Sequence, residues 1–295
     1  MGTLVAKKYP TKLFLKAADH TYVECGTGGK AWKCWGGNTG GTAFNHNSGS
    51  THRADLIACP DQRAGITRYL IDGVCHQAAN RILVPANILV SGARGYTLSS
   101  FIYGTYGRSV FERHTDAKGD IADCMARQAL SVAPSAAGAE RSPREGKALS
   151  TEKALVRTSK TLYSRMQNRI TSAQDALAFN MKAFERQLDN MPLSNLSASS
   201  RQGLTDAKFN VETTLFTLDH ERRLQNVDPT QMVERVNQMT LTFQDEAANA
   251  LTARQYEQLF GVPVDERLIL ADPDIVSLAF GAEVSRAVYG NLPDR

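Results

Sequence analysis

The sequence predicts an α+β fold followed by an α-helical bundle, and two observations support that prediction. In the first part of the chain, a strand-forming stretch with a glycine-rich turn precedes a short helix with one apolar face. In the second part, long stretches of helical periodicity dominate. The chain has 295 residues, of which 42% are hydrophobic, and this is enough for about two units of roughly 150 residues each with a buried core.

A small, polar, proline-bearing stretch separates the two parts. Its composition over residues 131–150, including Pro134 and Pro143, is typical of a flexible connector. The predicted organisation is an α+β domain at 1–130, a linker at 131–150, a helical bundle at 151–258, and a C-terminal segment at 259–295 that can pack back onto the first domain.

Three helices are predicted for the bundle. The first covers Thr151 to Asn190, the second runs from about Ser199 to Leu224, and the third starts at Asp228-Pro229. Apolar residues recur at spacings of three and four along each, and such faces most often pack against one another. A docking surface for a protein partner is the alternative use. The apolar residues of the first helix are Leu162, Met166, Ile170, Ala173, Leu177, Met181, Phe184 and Leu188.

The run Asp72 to Leu83 places Cys75 where a turn leads into the apolar-faced helix. At a helix N-terminus, unpaired backbone N–H groups and the helix dipole stabilise a thiolate and lower the cysteine pKa from its free value of about 8.5. Cys75 is therefore the leading candidate nucleophile. An ordinary buried cysteine is the alternative, because free cysteines are among the most buried residues.

The stretch from His20 to Cys25 has strand propensity, and Gly26 to Gly29 and then Lys30 to Trp35 follow it. This pattern predicts a β-hairpin with a glycine turn. Cys25 and Cys34 would then lie close across the hairpin, where an oxidising compartment would allow a disulfide. The five cysteines show no Cys-x-x-Cys spacing, and no structural metal is expected.

A histidine at the start of a strand, followed by a hairpin and then by a cysteine helix, resembles the permuted branch of the papain-like NlpC/P60 superfamily. The resemblance covers at most residues 12–107. It implies a papain-like first domain in which Cys75 is the nucleophile and His20 is the base. Members usually carry a third polar residue on the following strand to orient the imidazole, whereas residues 32–35 here are Trp, Lys, Cys and Trp. The polar loop that follows offers Asn38, Asn45 and His46 instead.

Two further stretches bear on this site. His114, with Asp116 and Asp120 nearby, is the runner-up base and would give the unpermuted order of cysteine before histidine. The glycine- and tyrosine-rich stretch from Val90 to Arg108, which includes Arg94 and Tyr96, is expected to form a loop that flanks the cysteine and shapes a substrate groove.

These residues predict a cysteine-dependent amide hydrolase, a peptidase, amidase or deamidase that acts on peptide or protein amides through a thioester. The backbone N–H of Cys75 would help to bind the oxyanion. An acyltransferase or an effector toxin would use the same chemistry. A non-enzymatic interaction protein that uses the helical bundle is the alternative of a different class, and it predicts a buried, unreactive Cys75 and a His20 far from it.

Charge and hydropathy exclude several classes of protein. The balance of 34 basic to 30 acidic residues gives a net charge of +4, which is too even to indicate nucleic-acid binding. Glycine spacing matches neither the phosphate-binding nor the dinucleotide pattern, so no cofactor is expected. Without a signal peptide or a long apolar run, the chain is expected to be soluble and cytoplasmic, or secreted without a classical signal.

Overall fold

The computed structural model describes residues 2–9, 18–28, 30–32, 40–108, 173–190, 196–224 and 229–271. Within them the fold is mixed α and β, with one four-stranded antiparallel sheet and seven α-helices. The α+β class is therefore confirmed. Asn38, Cys34, His114 and the linker at 131–150 lie outside the described residues, as do the boundaries drawn there, which stay predictions.

Four strands form the sheet in the order β3-β2-β1-β4, and all neighbours are antiparallel. The strands are β1 (Gly2–Tyr9), β2 (His20–Cys25), β3 (Ala31–Trp32) and β4 (Thr42–Gly49). The predicted hairpin is confirmed, since β2 begins at His20 and pairs with β3. The polar loop expected at Asn45 and His46 is wrong, because both residues lie in β4.

The two faces of the sheet have different neighbours. Leu4 and Ala6 of β1 and Val23 of β2 join the hydrophobic core that the helices complete. Because successive side chains of a strand point to opposite faces, His20 and Tyr22 belong to the other face. We call the side of Leu4, Ala6 and Val23 the core face and the other side the outer face.

The helices of the first half are α1 (Thr51–Asp72), α2 (Cys75–Leu83) and α3 (Tyr96–Tyr103), with a short 3₁₀ turn at Val84–Ala86 between the last two. The prediction that Cys75 opens a helix is confirmed. The loop predicted from Val90 to Arg108 is wrong over α3, where Tyr96 to Tyr103 are helical.

All nine residues of α2 are buried. Its polar side chains bind the backbone of the segments wrapped around it, which satisfies groups that burial would otherwise leave unpaired. Gln77 Nε2 donates to the Gly104 carbonyl at 3.2 Å, and Asn80 Oδ1 accepts from the Val90 amide at 2.9 Å. Arg81 Nη1 donates to the Tyr106 carbonyl. This helix is therefore the centre of the first half.

Four helices of the second half are described: α4 (Ala173–Asp189), α5 (Ala198–Arg223), α6 (Pro229–Ala250) and α7 (Ala253–Phe260). The predicted second and third helices are confirmed as α5 and α6. Of the helix predicted from Thr151, the described part begins at Ala173. The short helix α7 was not predicted, and the part of the predicted C-terminal segment after residue 271 lies outside the described residues. Among the described helices, none is both long enough and apolar enough to cross a membrane.

The helices of the second half pack directly onto the first half. Phe101 of α3 lies in an aromatic cluster, with its ring centroid 5.3 Å from that of Phe184 and 6.1 Å from that of Phe260. The Ala18 amide donates to the Ile269 carbonyl at 3.1 Å, which joins the chain before β2 to the segment after α7. One hydrophobic cluster contains residues from both halves.

Two glycines after α3 give a prediction about how the segment that follows α3 packs against α2 and the end of α1. Gly104 and Gly107 both have positive φ, but a Cβ at Gly104 meets open space, whereas one at Gly107 would collide with the Asp72 carbonyl and crowd Arg81. We expect Gly104→Ala to lower the free energy of unfolding by about 1–3 kcal/mol through backbone strain alone. Gly107→Ala should cost about 1–3 kcal/mol more, because overpacking adds to strain. Urea denaturation of both variants measures the difference, and equal losses would contradict it.

Candidate functional site

Cys75, the first residue of α2, is buried, with only 4% of its surface exposed. Its thiol donates a weak hydrogen bond to the Asp19 carbonyl at 3.8 Å. Asp19 immediately precedes β2, so this contact ties the start of α2 to the start of the strand. The thiol therefore lies at the junction that the sequence predicted, and it faces a backbone carbonyl.

The neighbouring histidine, His76, is fully buried and has a partner at each ring nitrogen. Its Nδ1 lies 2.8 Å from Ser99 Oγ, and its Nε2 lies 2.9 Å from the Asp19 carbonyl oxygen. Burial lowers the pKa of His76 to about 4, although the Asp19 carbonyl and carboxylate oppose that shift. A neutral imidazole that bridges α3 and the start of β2 is a structural element, and sequence reasoning assigned it no role.

The imidazole of His20 is also buried, with 1% exposed, but its surroundings are different. Its ring centroid lies 4.9 Å from that of Tyr9 and 6.5 Å from that of Tyr22. Among the described residues, neither ring nitrogen has a hydrogen-bond partner. Burial, and secondarily the charge of His76, lower the pKa of His20 to about 3, so the ring is neutral at pH 7.

The proposed pair of Cys75 and His20 is not hydrogen-bonded. Strand alternation and the contacts with Tyr9 and Tyr22 place the His20 ring on the outer face. Cys75 belongs to the core that lies on the opposite face. The structure brings the Asp19 carbonyl to the thiol, while the His20 ring occupies a separate aromatic environment.

Arg94, which the sequence assigned to a substrate groove, is linked to Asp19. The Arg94 amide donates to Asp19 Oδ2 at 2.9 Å, and the Asp19 amide donates to the Arg94 carbonyl at 3.0 Å. The Arg94 guanidinium pairs with Glu266. Lys8 Nζ lies 3.3 Å from the same Asp19 carboxylate oxygen. These contacts fix the strand start and connect it to the segment after α7.

Tyr96, the other groove candidate, lies beside the same helix. Its ring packs edge-on against His76 at 6.0 Å, and its hydroxyl accepts a hydrogen bond from Asn80 Nδ2 at 3.4 Å. Burial raises the pKa of Tyr96. Both groove candidates therefore flank the cysteine helix, where they bind other parts of the fold.

The two candidate orienters that are described lie away from His20. Asn45 Nδ2 donates to the Leu89 carbonyl at 3.0 Å, and His46 is exposed. Both belong to β4, and β1 separates β4 from β2 in the sheet.

The remaining sequence predictions about cysteine concern a disulfide at Cys25 and a metal site. Cys25 is a free thiol, and Cys34, the partner expected only in an oxidising compartment, lies outside the described residues. No three metal-ligating side chains come together within the described parts of the chain.

A buried charge network was missed by sequence reasoning. Glu212 of α5 accepts from Lys208 Nζ at 2.5 Å, from Arg108 Nη2 at 3.0 Å and from Asn180 Nδ2 at 2.9 Å. Lys208 Nζ also donates to the Ile102 carbonyl at 2.7 Å. The two cations lower the pKa of Glu212 against the opposing effect of burial. The only sequence signal was the spacing of four between Lys208 and Glu212 on one helix.

The outward side of α5 carries two large exposed hydrophobic residues. Phe209 is 50% exposed and Phe216 is 51% exposed, and they are seven residues apart on one side of the helix. Thr213 lies between them, and its hydroxyl donates to the Phe209 carbonyl at 3.0 Å. Asp206 and His220 continue the same line at its two ends, and both are exposed. We call the line Asp206, Phe209, Thr213, Phe216 and His220 the α5 stripe.

No family model, curated protein or solved structure matches this chain. The assignment of function therefore depends on the two regions described above, the cysteine junction and the α5 stripe.

Proposed function

We propose that this chain is a protein-interaction module whose helical bundle carries the binding surface. The observation that carries the proposal is the α5 stripe, where Phe209 and Phe216 each leave half of their surface in water. Single exposed apolar residues are ordinary, but two aromatic rings aligned on one helix face form a patch, and such patches mark interaction sites. Phenylalanine is also among the residues enriched in interfaces.

The contacts of the cysteine junction are consistent with this proposal. Cys75 is buried and donates to a backbone carbonyl, and the His20 ring lies on the other face of the sheet. A buried Cys75 is what the interaction alternative predicts, and a His20 ring that makes no hydrogen bond to the thiol agrees with that alternative. In this reading Asp19, His76 and Ser99 tie α2 and α3 to the sheet and support the helices that pack beyond them.

A cysteine-dependent amide hydrolase with a papain-like first domain is the second candidate. The specific observation in its favour is the His20 imidazole, which is buried with no hydrogen-bond partner among the described residues. A buried polar group without a hydrogen-bond partner is unfavourable, and a catalytic role is one explanation for such a group. This candidate requires the backbone at the start of β2 to rearrange, so that the His20 ring leaves Tyr9 and Tyr22 and reaches the thiol of Cys75.

In that reaction Cys75 Sγ would attack an amide carbonyl carbon while His20 accepts the thiol proton. First-turn N–H groups of α2 would stabilise the oxyanion. The tetrahedral intermediate would expel the amine, which takes the proton from His20 and leaves a thioester. Water, deprotonated by His20, would then release the acid and restore the thiol. An amine in place of water would give the acyltransferase, and an effector toxin would use the same steps.

Thiol labelling separates the two candidates, and Cys25 serves as a reference. A hydrogen bond from Thr27 lowers the pKa of Cys25, and its thiol is partly exposed. If Cys75 is structural, iodoacetamide should label Cys25 at least about a hundredfold faster at pH 7, because labelling of a buried thiol requires opening of the structure. Mass spectrometry of the native protein at timed intervals measures both rates.

The same experiment on His20→Ala tests the enzyme directly. If the chain is an interaction module, His20→Ala should not slow the labelling of Cys75. Circular dichroism verifies that the variant is folded. Rapid labelling of Cys75 that His20→Ala abolishes would contradict the interaction proposal and support the hydrolase. Hydrolysis of peptide amides would also support the hydrolase and contradict the interaction proposal, if Cys75→Ser abolishes it and Cys25→Ser does not.

A further inference from the structure

We infer that the α5 stripe pairs with the same stripe of a second copy of this chain, in antiparallel orientation. The inference rests on the proposed interaction function and names the partner. It depends on three properties of the stripe, which are its apolar centre, its spacing and the polar groups at its ends.

The centre of the stripe is apolar although it contains threonine. Thr213 and the adjacent Thr217 donate their hydroxyl protons to carbonyls four residues earlier in their own helix, at 3.0 Å each. Their hydrogen-bonding needs are thereby met inside α5, and methyl groups are left to contact a partner. Together with Phe209 and Phe216 they form a surface that gains by removal from water.

The spacing of the stripe is that of a helix-packing seam. From Asp206, its members follow at intervals of three, four, three and four residues. This alternation averages 3.5 residues and keeps one line of side chains directed at a neighbouring helix. The helix α5 spans 26 residues, so the seam extends along most of its length.

The polar groups at the two ends decide the orientation. Asp206 lies seven residues before Thr213, and His220 lies seven residues after it. A two-fold axis near Thr213 places Phe209 opposite Phe216 and the Asp206 carboxylate opposite the His220 imidazole of the other copy. A parallel pair would place each Asp206 beside its own equivalent, and like charges that face each other are unfavourable. A two-fold contact of this kind is the commonest form of self-association.

The size of the surface sets the expected affinity. One helix face with two half-exposed phenylalanines is smaller than the roughly 800 Å² per partner of a standard stable interface. We therefore expect a reversible dimer whose population depends on protein concentration.

Sedimentation equilibrium of the full chain from about 1 to about 200 µM tests the inference. We expect a monomer–dimer equilibrium that Phe209→Ser and Phe216→Ser each weaken by about tenfold or more, because central aromatic residues dominate interface energies. Leu56→Ser is the matched control, since Leu56 is 39% exposed on α1 outside the stripe, and it should leave the dimer unchanged. All three side chains are exposed, so the variants should fold, and circular dichroism verifies this.

A charge swap tests the orientation. Asp206→Lys alone removes the carboxylate that faces His220, and His220→Asp alone places two carboxylates opposite one another, so each should weaken the antiparallel dimer. The double variant restores the pairing and should recover most of the wild-type affinity.

A chain that stays monomeric, or a dimer that both serine variants leave intact, would overturn the inference. A monomer whose stripe binds a different protein would overturn self-pairing and leave the interaction function standing. Rapid, His20-dependent labelling of Cys75 would instead contradict the interaction function itself.

Discussion

Glu212→Ala is expected to lower the free energy of unfolding by about 3–5 kcal/mol. Glu212 is buried and accepts from Lys208, Arg108 and Asn180. Removing the carboxylate leaves the ammonium of Lys208 buried without its counter-charge. The network also joins α5 to α4 and to the segment after α3, so its loss weakens the contact between the two halves of the chain.

Two further variants show whether charge is the cause. Asp189→Ala breaks an ion pair with Arg201 in which both side chains are largely exposed, and it should cost less than about 1 kcal/mol. Lys208→Met combined with Glu212→Leu removes both charges of the closest pair and should be less destabilising than Glu212→Ala alone. Urea denaturation at pH 7 measures all three. A loss of under 1 kcal/mol for Glu212→Ala would show that the network contributes no more than a surface pair.

The protein is expected to lose about 4 kcal/mol of stability between pH 7 and pH 5, about 2 kcal/mol from each of two buried histidines. Burial lowers the pKa of His20 to about 3 and that of His76 to about 4. In the unfolded chain both titrate near pH 6.5. Between pH 6.5 and pH 4 the unfolded state therefore binds more protons than the folded state, and stability falls as the pH falls. Urea denaturation at pH 7 and at pH 5 measures the loss.

Substitution by leucine assigns the loss to each ring. His20→Leu should remove about half of the acid dependence and cost little at pH 7, because neither ring nitrogen has a partner among the described residues. His76→Leu should remove a similar part but cost about 1–3 kcal/mol at pH 7, because it breaks the contacts with Ser99 and Asp19. His46→Asn changes an exposed side chain outside the α5 stripe and should keep the wild-type loss. Equal stability at pH 7 and pH 5 would contradict the prediction.

Local sequence signals predicted several elements correctly. The glycine turn after Cys25 gave the hairpin, and the apolar spacing after Cys75 gave α2. Proline at the first position gave the start of α6 at Pro229. In each case a residue type and its immediate neighbours determine the backbone conformation, so the pattern can be read without knowledge of the fold.

Other elements were missed because tertiary contacts decide them. The long helix α1 contains Pro60, which usually ends a helix, and no helix was predicted there. The glycine- and tyrosine-rich stretch after Val90 was predicted as a loop, yet Tyr96 to Tyr103 form α3, with four hydrophobic side chains in the core. Burial against α2 and the second half stabilises that helix beyond its local propensity.

The candidate site divides in the same way. The sequence by itself determined that Cys75 opens a helix and that His20 opens a strand, because turns and strand propensity are local. Only the tertiary structure decided that the His20 ring points to the outer face, since a strand's two faces are assigned by what packs on each. Likewise, the sequence of α5 by itself determined where its apolar residues recur along the helix. Packing of α4 and α6 decided that Phe209 and Phe216 stay exposed, because burial depends on the contacts of a side chain across the whole fold.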